Sequence, residues 1–290
     1  MHLVEAKGLL SGGKGRYGMN IYRGCTHGCI YCDSRSDCYG FTHPFEDVAV
    51  KQNAPALLEV ILKTRRRRFV ISTGSMSDPY QPCEAELRLT RRCLELIDRY
   101  GFGASVITKS DLVLRDLELF ERIGQKAKSV LQMTLTVADD TLSRVIEPNV
   151  CTTTRRYEVL KAFQACGVPT VVWLTPILPF LTDTEENVRR ILEYCFDAGV
   201  KGVVCFGAGL TLRDGSREYY YAALDRHFPG MSDEYRRRYG NAYEASSPNA
   251  AALLQLIHGE CERHGVLHDP EACFRYIAEL PDAHEQLSLF

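Results

Sequence analysis

Three cysteines stand close together in the run Arg23-Gly24-Cys25-Thr26-His27-Gly28-Cys29-Ile30-Tyr31-Cys32. Their C-x3-C-x2-C spacing lets three thiolates of one loop reach three corners of an iron–sulfur cube. The fourth iron is then left without a protein ligand, whereas four-iron clusters ordinarily take four cysteines. An open metal position is where chemistry happens rather than where a fold is stapled. Gly24 and Gly28 fall where a tight loop needs backbone freedom. A zinc knot is the competing reading. Zinc sites favour a fourth ligand and paired C-x2-C elements, and no second pair follows in this chain.

The elements around that loop alternate. A strand over residues 19–22 runs into the cysteines. A helix over 55–65 follows, with Pro55 in its first turn and Leu57, Leu58, Ile61 and Leu62 on one face. Further strands are predicted at 69–72, 104–108, 129–137, 170–175 and 203–206. Between them fall helices at 86–100, 111–123, 152–165 and 184–198, of which three end at Gly101, Gly167 and Gly199. Six β/α units in succession predict parallel strands joined by right-handed crossovers. A doubly wound open sheet is the alternative, but it would carry a glycine-rich phosphate loop where this chain has its cysteines. From about Gly215 the pattern turns helical, at 217–227, 232–239 and 248–263.

Composition sets outer bounds. At 290 residues, with 45% hydrophobic and 25% charged residues, the chain can bury a core of ordinary size. A formal net charge of −2 supplies no global field toward nucleic acid or anionic lipid, so any such surface must be local. The opening residues, Met1-His2-Leu3-Val4-Glu5, carry no basic-then-apolar leader, and no apolar run reaches spanning length. The expected location is the cytoplasm, with no membrane partner. In that compartment twelve cysteines read as thiols rather than disulfides. Cys93, Cys166 and Cys195 fall in helical runs and are expected to be small buried hydrophobes.

The motif C-x3-C-x-(aromatic)-C, with Tyr31 as the aromatic, resembles the signature of the radical S-adenosylmethionine (SAM) enzymes. That resemblance implies a [4Fe-4S] cluster held by Cys25, Cys29 and Cys32. SAM would chelate the open iron and, given one electron, be cleaved to methionine and a 5′-deoxyadenosyl radical that abstracts hydrogen. It also implies an incomplete (β/α)6 barrel of the TIM type. The expected organisation is a barrel over 1–214 that includes the cluster loop, a helical extension over 215–280, and a tail over 281–290. The segment Asp78-Pro79-Tyr80-Gln81-Pro82 is similar to a motif of the spore photoproduct lyase family, loosely labelled DNA repair photolyases. The similarity continues through Ile107-Thr108-Lys109-Ser110, Glu147-Pro148 and Thr175-Pro176-Ile177-Leu178-Pro179. Carried over residue by residue, it implies that Tyr31 presents backbone atoms to adenine. Ser77, Lys109 and Thr134 would hold the SAM carboxylate, amino group or ribose.

One position departs from that family. Where the photoproduct lyases proper have a cysteine that returns hydrogen to thymine, this chain has Ser75, whose O–H bond is too strong for easy hydrogen donation. A related enzyme with a different substrate is expected, and Cys83 and Cys205 are the thiols near strand ends that could substitute. The final residues Gln286-Leu287-Ser288-Leu289-Phe290 resemble the peptide by which bacterial repair proteins dock on the DNA sliding clamp. Arginines at 65–68, 91–92 and 236–238 are candidate phosphate contacts. The expected function is hydrogen abstraction on DNA or a DNA lesion, with an external electron donor. The alternatives are radical chemistry on a peptide, RNA or small molecule, and a non-catalytic Fe–S sensor or adaptor bound to the clamp.

Overall fold

Six strands run parallel in one sheet: β3 (Arg16–Met19), β6 (Val70–Thr73), β7 (Gly103–Thr108), β8 (Ser129–Thr134), β9 (Thr170–Trp173) and β10 (Gly202–Val204). β2 (Leu10–Gly13) pairs antiparallel with β3 and makes the seventh strand, at the edge. The structure is a computed structural model and describes residues 1–13, 15–74 and 76–281. Among the described residues two small sheets complete the strands. One joins β1 (His2–Val4), β5 (Ala49–Lys51) and β4 (Tyr22–Arg23), and the other pairs β11 (Gly209–Thr211) with β12 (Glu244–Ser246).

Helices α1 (Ala54–Thr64), α3 (Leu89–Tyr100), α4 (Leu117–Lys126), α6 (Thr153–Ala165) and α7 (Glu185–Asp197) follow successive strands of the sheet or lead into them. Their apolar faces meet the outward residues Ile71, Ala104, Val106, Leu131, Met133, Val172 and Val203 in one large core. The incomplete barrel is therefore present, as six parallel strands that, among the described residues, do not close.

The differences from the sequence reading have local causes. The first parallel strand is Arg16–Met19, because Met19 pairs with Thr73, and Tyr22 belongs instead to the small sheet beside the cysteines. The helix expected over 86–100 is broken into α2 (Glu84–Leu87) and α3 at Arg88, whose φ is 52°. The buried Glu84 carboxylate causes the break by accepting from Thr90 N–H at 3.0 Å and Arg91 N–H at 3.2 Å, capping α3 from outside its pattern. Cys93 and Cys195 are fully buried as expected, whereas Cys166 is exposed at the end of α6.

The C-terminal helices pack in different places. α8 (Ser216–His227) and α9 (Met231–Tyr239) share a core with Ile30, Ile146 and Leu178 above the strand ends. α10 (Ala250–His264) lies against α7. α11 (Pro270–Ala278) enters the concave side of the sheet, where Cys273 and Ile277 pack on Val130, Val171 and Val204. Gly202 permits that approach, since a Cβ there would stand 2.9 Å from the Cys273 sulfur. Among the described residues no helix is long and apolar enough to cross a membrane.

Candidate active site and metal centre

The cysteine loop leaves β4 through Gly24, whose φ is +89°. A Cβ at Gly24 would stand 2.3 Å from the Phe45 carbonyl oxygen, the same oxygen that accepts the Cys25 N–H at 3.2 Å. Gln81 holds the loop from one side. Its Nε2 donates to the Gly24 carbonyl at 3.3 Å and its Oε1 accepts from Thr26 N–H at 3.2 Å. Asn149 holds it from the other, its Nδ2 donating to the Thr26 carbonyl at 2.9 Å and its N–H to the His27 carbonyl at 3.1 Å. The segments Asp78–Pro82 and Glu147–Asn149 are thus two jaws on one loop, although the sequence alone presents them only as separate motifs.

Cys25 and Cys29 are buried, Cys32 is half-buried, and all three are free thiols. Burial first, then the Asp78 charge, pushes the Cys25 thiol up to about 12, and burial raises Cys29 as well. Thiols so placed become thiolates when a metal takes them. Backbone N–H groups of His27 and Asp78 turn toward the Cys25 sulfur and favour that form. Among the described residues no group of three or more His, Cys, Asp or Glu is gathered closely enough for a single ion. A cube gives each thiolate its own iron and asks for no such convergence. The donor set fits a four-iron cluster with one open iron.

Lys109, at the end of β7, is pinned at its backbone. Its N–H donates to Asp78 Oδ2 at 2.8 Å, and its carbonyl accepts from the Cys151 thiol at 3.1 Å. Asp78 Oδ1 takes the Thr108 hydroxyl at 2.6 Å and the Tyr80 N–H at 2.8 Å, and Oδ2 faces the buried His27 Nδ1 at 3.4 Å. Burial lowers the His27 pKa more than Asp78 raises it, so that imidazole is neutral near pH 7. The Lys109 ammonium lies 5.8 Å from the centre of the Tyr31 ring. Burial would strip its proton, but the Cys29 sulfur in its thiolate form and the Glu147 carboxylate outweigh burial and raise its pKa.

Glu147 is fully buried and joins these groups. It accepts from the Tyr31 hydroxyl, and its Oε2 accepts from Arg156 Nη2 at 2.5 Å. The Arg156 side chain is likewise fully buried, donating to the Cys151 carbonyl at 3.0 Å and the Thr134 carbonyl at 3.1 Å. Burial raises the Glu147 pKa, yet Arg156 and Lys109 together bring it below the ordinary carboxylate value. Tyr31 is pushed well above its usual value, by burial and then by Glu147, and stays a phenol.

A cavity of about 850 Å³ opens beside this network at the carboxyl ends of the strands. Tyr31, Cys32, Lys109 and Thr134 line it, as do Trp173, Phe206 and Phe274, with Thr134 and Trp173 paired across β8 and β9. Ligand sites of barrel folds lie at this end of the strands. Of the four residues expected to face SAM, Tyr31, Lys109 and Thr134 border the cavity. Ser77 does not: it is buried below the jaw, and its hydroxyl donates to the Tyr22 carbonyl at 2.8 Å. Ser75 lies outside the described residues, as does the tail bearing Gln286, Leu287, Leu289 and Phe290. Neither Cys83 nor Cys205 lines the cavity. Cys205 faces outward into the sheet–helix core, and Cys83 packs at the edge of that core. The reading from sequence missed Arg156, Trp173, Phe206 and Phe274. Only Trp173, the one tryptophan, at the end of a β-prone run, offered a signal.

The chain matches the family model described as "Radical SAM superfamily" over residues 19–195. It is 33% identical over 235 residues to an uncharacterized protein of Mycobacterium tuberculosis, an alignment covering 77% of this chain and 67% of that one. It is 34% identical over 174 residues to an uncharacterized protein of Methanocaldococcus jannaschii, covering 59% and 63% of the two chains. Among solved structures it is similar to spore photoproduct lyase complexed with dinucleoside spore photoproduct. That superposition has a TM-score of 0.63 at 14% identity, over 92% of this chain and 80% of the lyase. A variant of that lyase with bound AdoMet and dinucleoside spore photoproduct gives a TM-score of 0.64, also at 14% identity, with 92% and 80% covered. These structural matches establish a shared fold.

Proposed function

Since this chain belongs to the radical SAM superfamily, we propose that it abstracts hydrogen from DNA or a DNA lesion as a spore photoproduct lyase-like enzyme. Its cofactors are a [4Fe-4S] cluster and SAM. When bound, they supply a carbon-centred radical at the cost of one electron from an external donor. Cys25, Cys29 and Cys32 hold the cluster in this reading. Tyr31, Lys109 and Thr134 bind SAM, with Lys109 offering its ammonium to the carboxylate.

The observation that carries the reading is one continuous cavity shared by Cys32, Lys109 and the aromatic side chains. Its volume is near the upper end for small-molecule sites, which leaves room for a second group beside a bound cofactor. The tail sequence Gln286-Leu287-Ser288-Leu289-Phe290 supports the DNA assignment from outside the site, as a peptide for the sliding clamp. Ser75 argues for a substrate other than the lesion of the true photoproduct lyases.

The test is anaerobic. The reconstituted enzyme is reduced with dithionite, given SAM with or without DNA, and assayed for 5′-deoxyadenosine beside a Cys29→Ala control. Cleavage that needs Cys29 and is stimulated by DNA is the expected result. Stimulation by RNA or peptide in place of DNA would move the substrate class. An intact cluster that neither binds nor cleaves SAM would leave the sensor or adaptor.

A further inference from the structure

Three aromatic rings line the cavity, each from a different element. Trp173 ends β9, Phe206 lies two residues beyond β10, and Phe274 comes from α11. The Trp173 ring centre is 5.6 Å from that of Phe206 and 5.8 Å from that of Phe274. Phe206 and Phe274 lie 5.9 Å apart, inclined by 27°.

Two features set this group apart from ordinary core. Phe206 is 60% exposed, while Val204 and Cys205 just before it are buried and its ring partners Trp173 and Phe274 are partly buried. Trp173 is held by buried polar groups: its Nε1–H donates to Gln132 Oε1 at 2.8 Å, and Gln132 Nε2 donates to Ser105 Oγ at 2.8 Å. Such a chain contributes little net stability and fixes orientation. The plane of the indole is therefore set across β7, β8 and β9 before any ligand arrives.

The charged residues lining the cavity are Asp33, Lys109 and Glu244, and the arginines of α9 lie outside it, behind β12. β12 lines the same cavity, and Tyr239 at the end of α9 donates to the Ser246 carbonyl at 2.7 Å. The exposed Arg236, Arg237 and Arg238 precede Tyr239. Arg236 and Arg237 pair with Asp233 and Glu234 of their own helix, and Arg238 lies 5.9 Å over the Phe180 ring. Oriented aromatic rings with one open face are the chemistry on which unpaired bases of a nucleic-acid strand stack.

We propose that Trp173, Phe206 and Phe274 form a stacking wall for one unpaired or flipped nucleobase, presenting it to Cys32 and Lys109 in the same cavity. The proposal rests on the reading of the substrate as DNA, and it specifies that the base must be out of its duplex. The other planar ring that could occupy the wall is the adenine of SAM, and the experiment separates the two.

Trp173 is the only tryptophan, so its emission reports from inside the site. Reconstituted holoenzyme with saturating SAM is titrated with a labelled oligothymidylate and with an abasic strand of the same length. Strand anisotropy and tryptophan emission are followed together. The expected result is about tenfold tighter binding of the strand with bases, the size of one stacked base, with quenching of Trp173. Phe206→Ala, a change at an exposed side chain, is expected to lose that preference and keep the abasic-strand affinity. Equal binding of the two strands by the wild-type protein would overturn the stacking wall and leave the DNA reading intact. Full quenching by SAM alone, with SAM affinity lost in Phe206→Ala, would assign the wall to adenine and overturn the proposal. Binding of neither strand would overturn the DNA reading and the wall with it.

Discussion

Glu147 and Arg156 form an ion pair of 2.5 Å in which neither side chain is exposed to solvent. Such pairs are poor sources of net stability, because desolvation consumes most of the attraction. Here the pair also receives the Tyr31 hydroxyl and lies near the Lys109 ammonium, beside the loop that carries the cluster. Its role follows from those contacts: it fixes the ring of Tyr31 and the charge of Lys109.

Removing one partner leaves the other charge buried. Glu147→Ala is expected to cost about 3–5 kcal/mol of stability in chemical denaturation. The double change Glu147→Leu with Arg156→Met, which removes both charges, is expected to recover most of that loss. Double-mutant recovery under about 1 kcal/mol would show that the site needs the carboxylate for reasons beyond charge balance.

The loop has its own weak point. Gly24→Ala places a Cβ against the Phe45 carbonyl at a φ that side chains rarely adopt, an expected cost of about 1–3 kcal/mol. The expected readout is loss of most iron and sulfide per chain after reconstitution, with the far-ultraviolet circular dichroism retained. Gln81→Ala removes two hydrogen bonds to the same loop, and faster cluster loss is expected of it.

Acid dependence is expected at Asp98. Burial raises its pKa, but Lys126 at 2.6 Å and Arg122 at 3.0 Å outweigh burial and lower it below the usual 3.8. A depressed carboxyl contributes stability that is fully present above its unfolded value and lost as pH falls through the folded one. Asp98→Asn is therefore expected to lower stability by about 1–2 kcal/mol near neutrality, its partners being partly solvated. The gap to wild type should shrink once pH drops below about 4. A gap that is constant from pH 7 to pH 3 would exclude the ion pairs as its source.

The tail prediction is independent of the barrel. A synthetic peptide ending Gln286-Leu287-Ser288-Leu289-Phe290 is expected to bind purified sliding clamp in a fluorescence titration, and Phe290→Ala to abolish binding. Equal affinity of the two peptides would remove the clamp as a partner.

The sequence by itself determined the three cysteines and the run of six β/α units. Both are local: a ligand loop needs only short spacings, and helices and strands declare themselves through periodicity and their stops. It also singled out Tyr31, Lys109 and Thr134, which do border one cavity. Tertiary structure alone decided the rest, because most of the remaining partners are far apart in the chain and the nearer ones are buried. Gln81 and Asn149 meet across the Thr26 peptide from 55 and 123 residues away. Arg156 reaches Glu147 through a buried pair that no charge pattern reveals. Whether Ser77 faces a ligand or a carbonyl depends on where the chain turns after β6, and the turn gives it to Tyr22. Phe274 belongs to α11, a helix absent from the sequence reading. Its place within the sheet follows from the bare backbone at Gly202, which lets Cys273 approach β10.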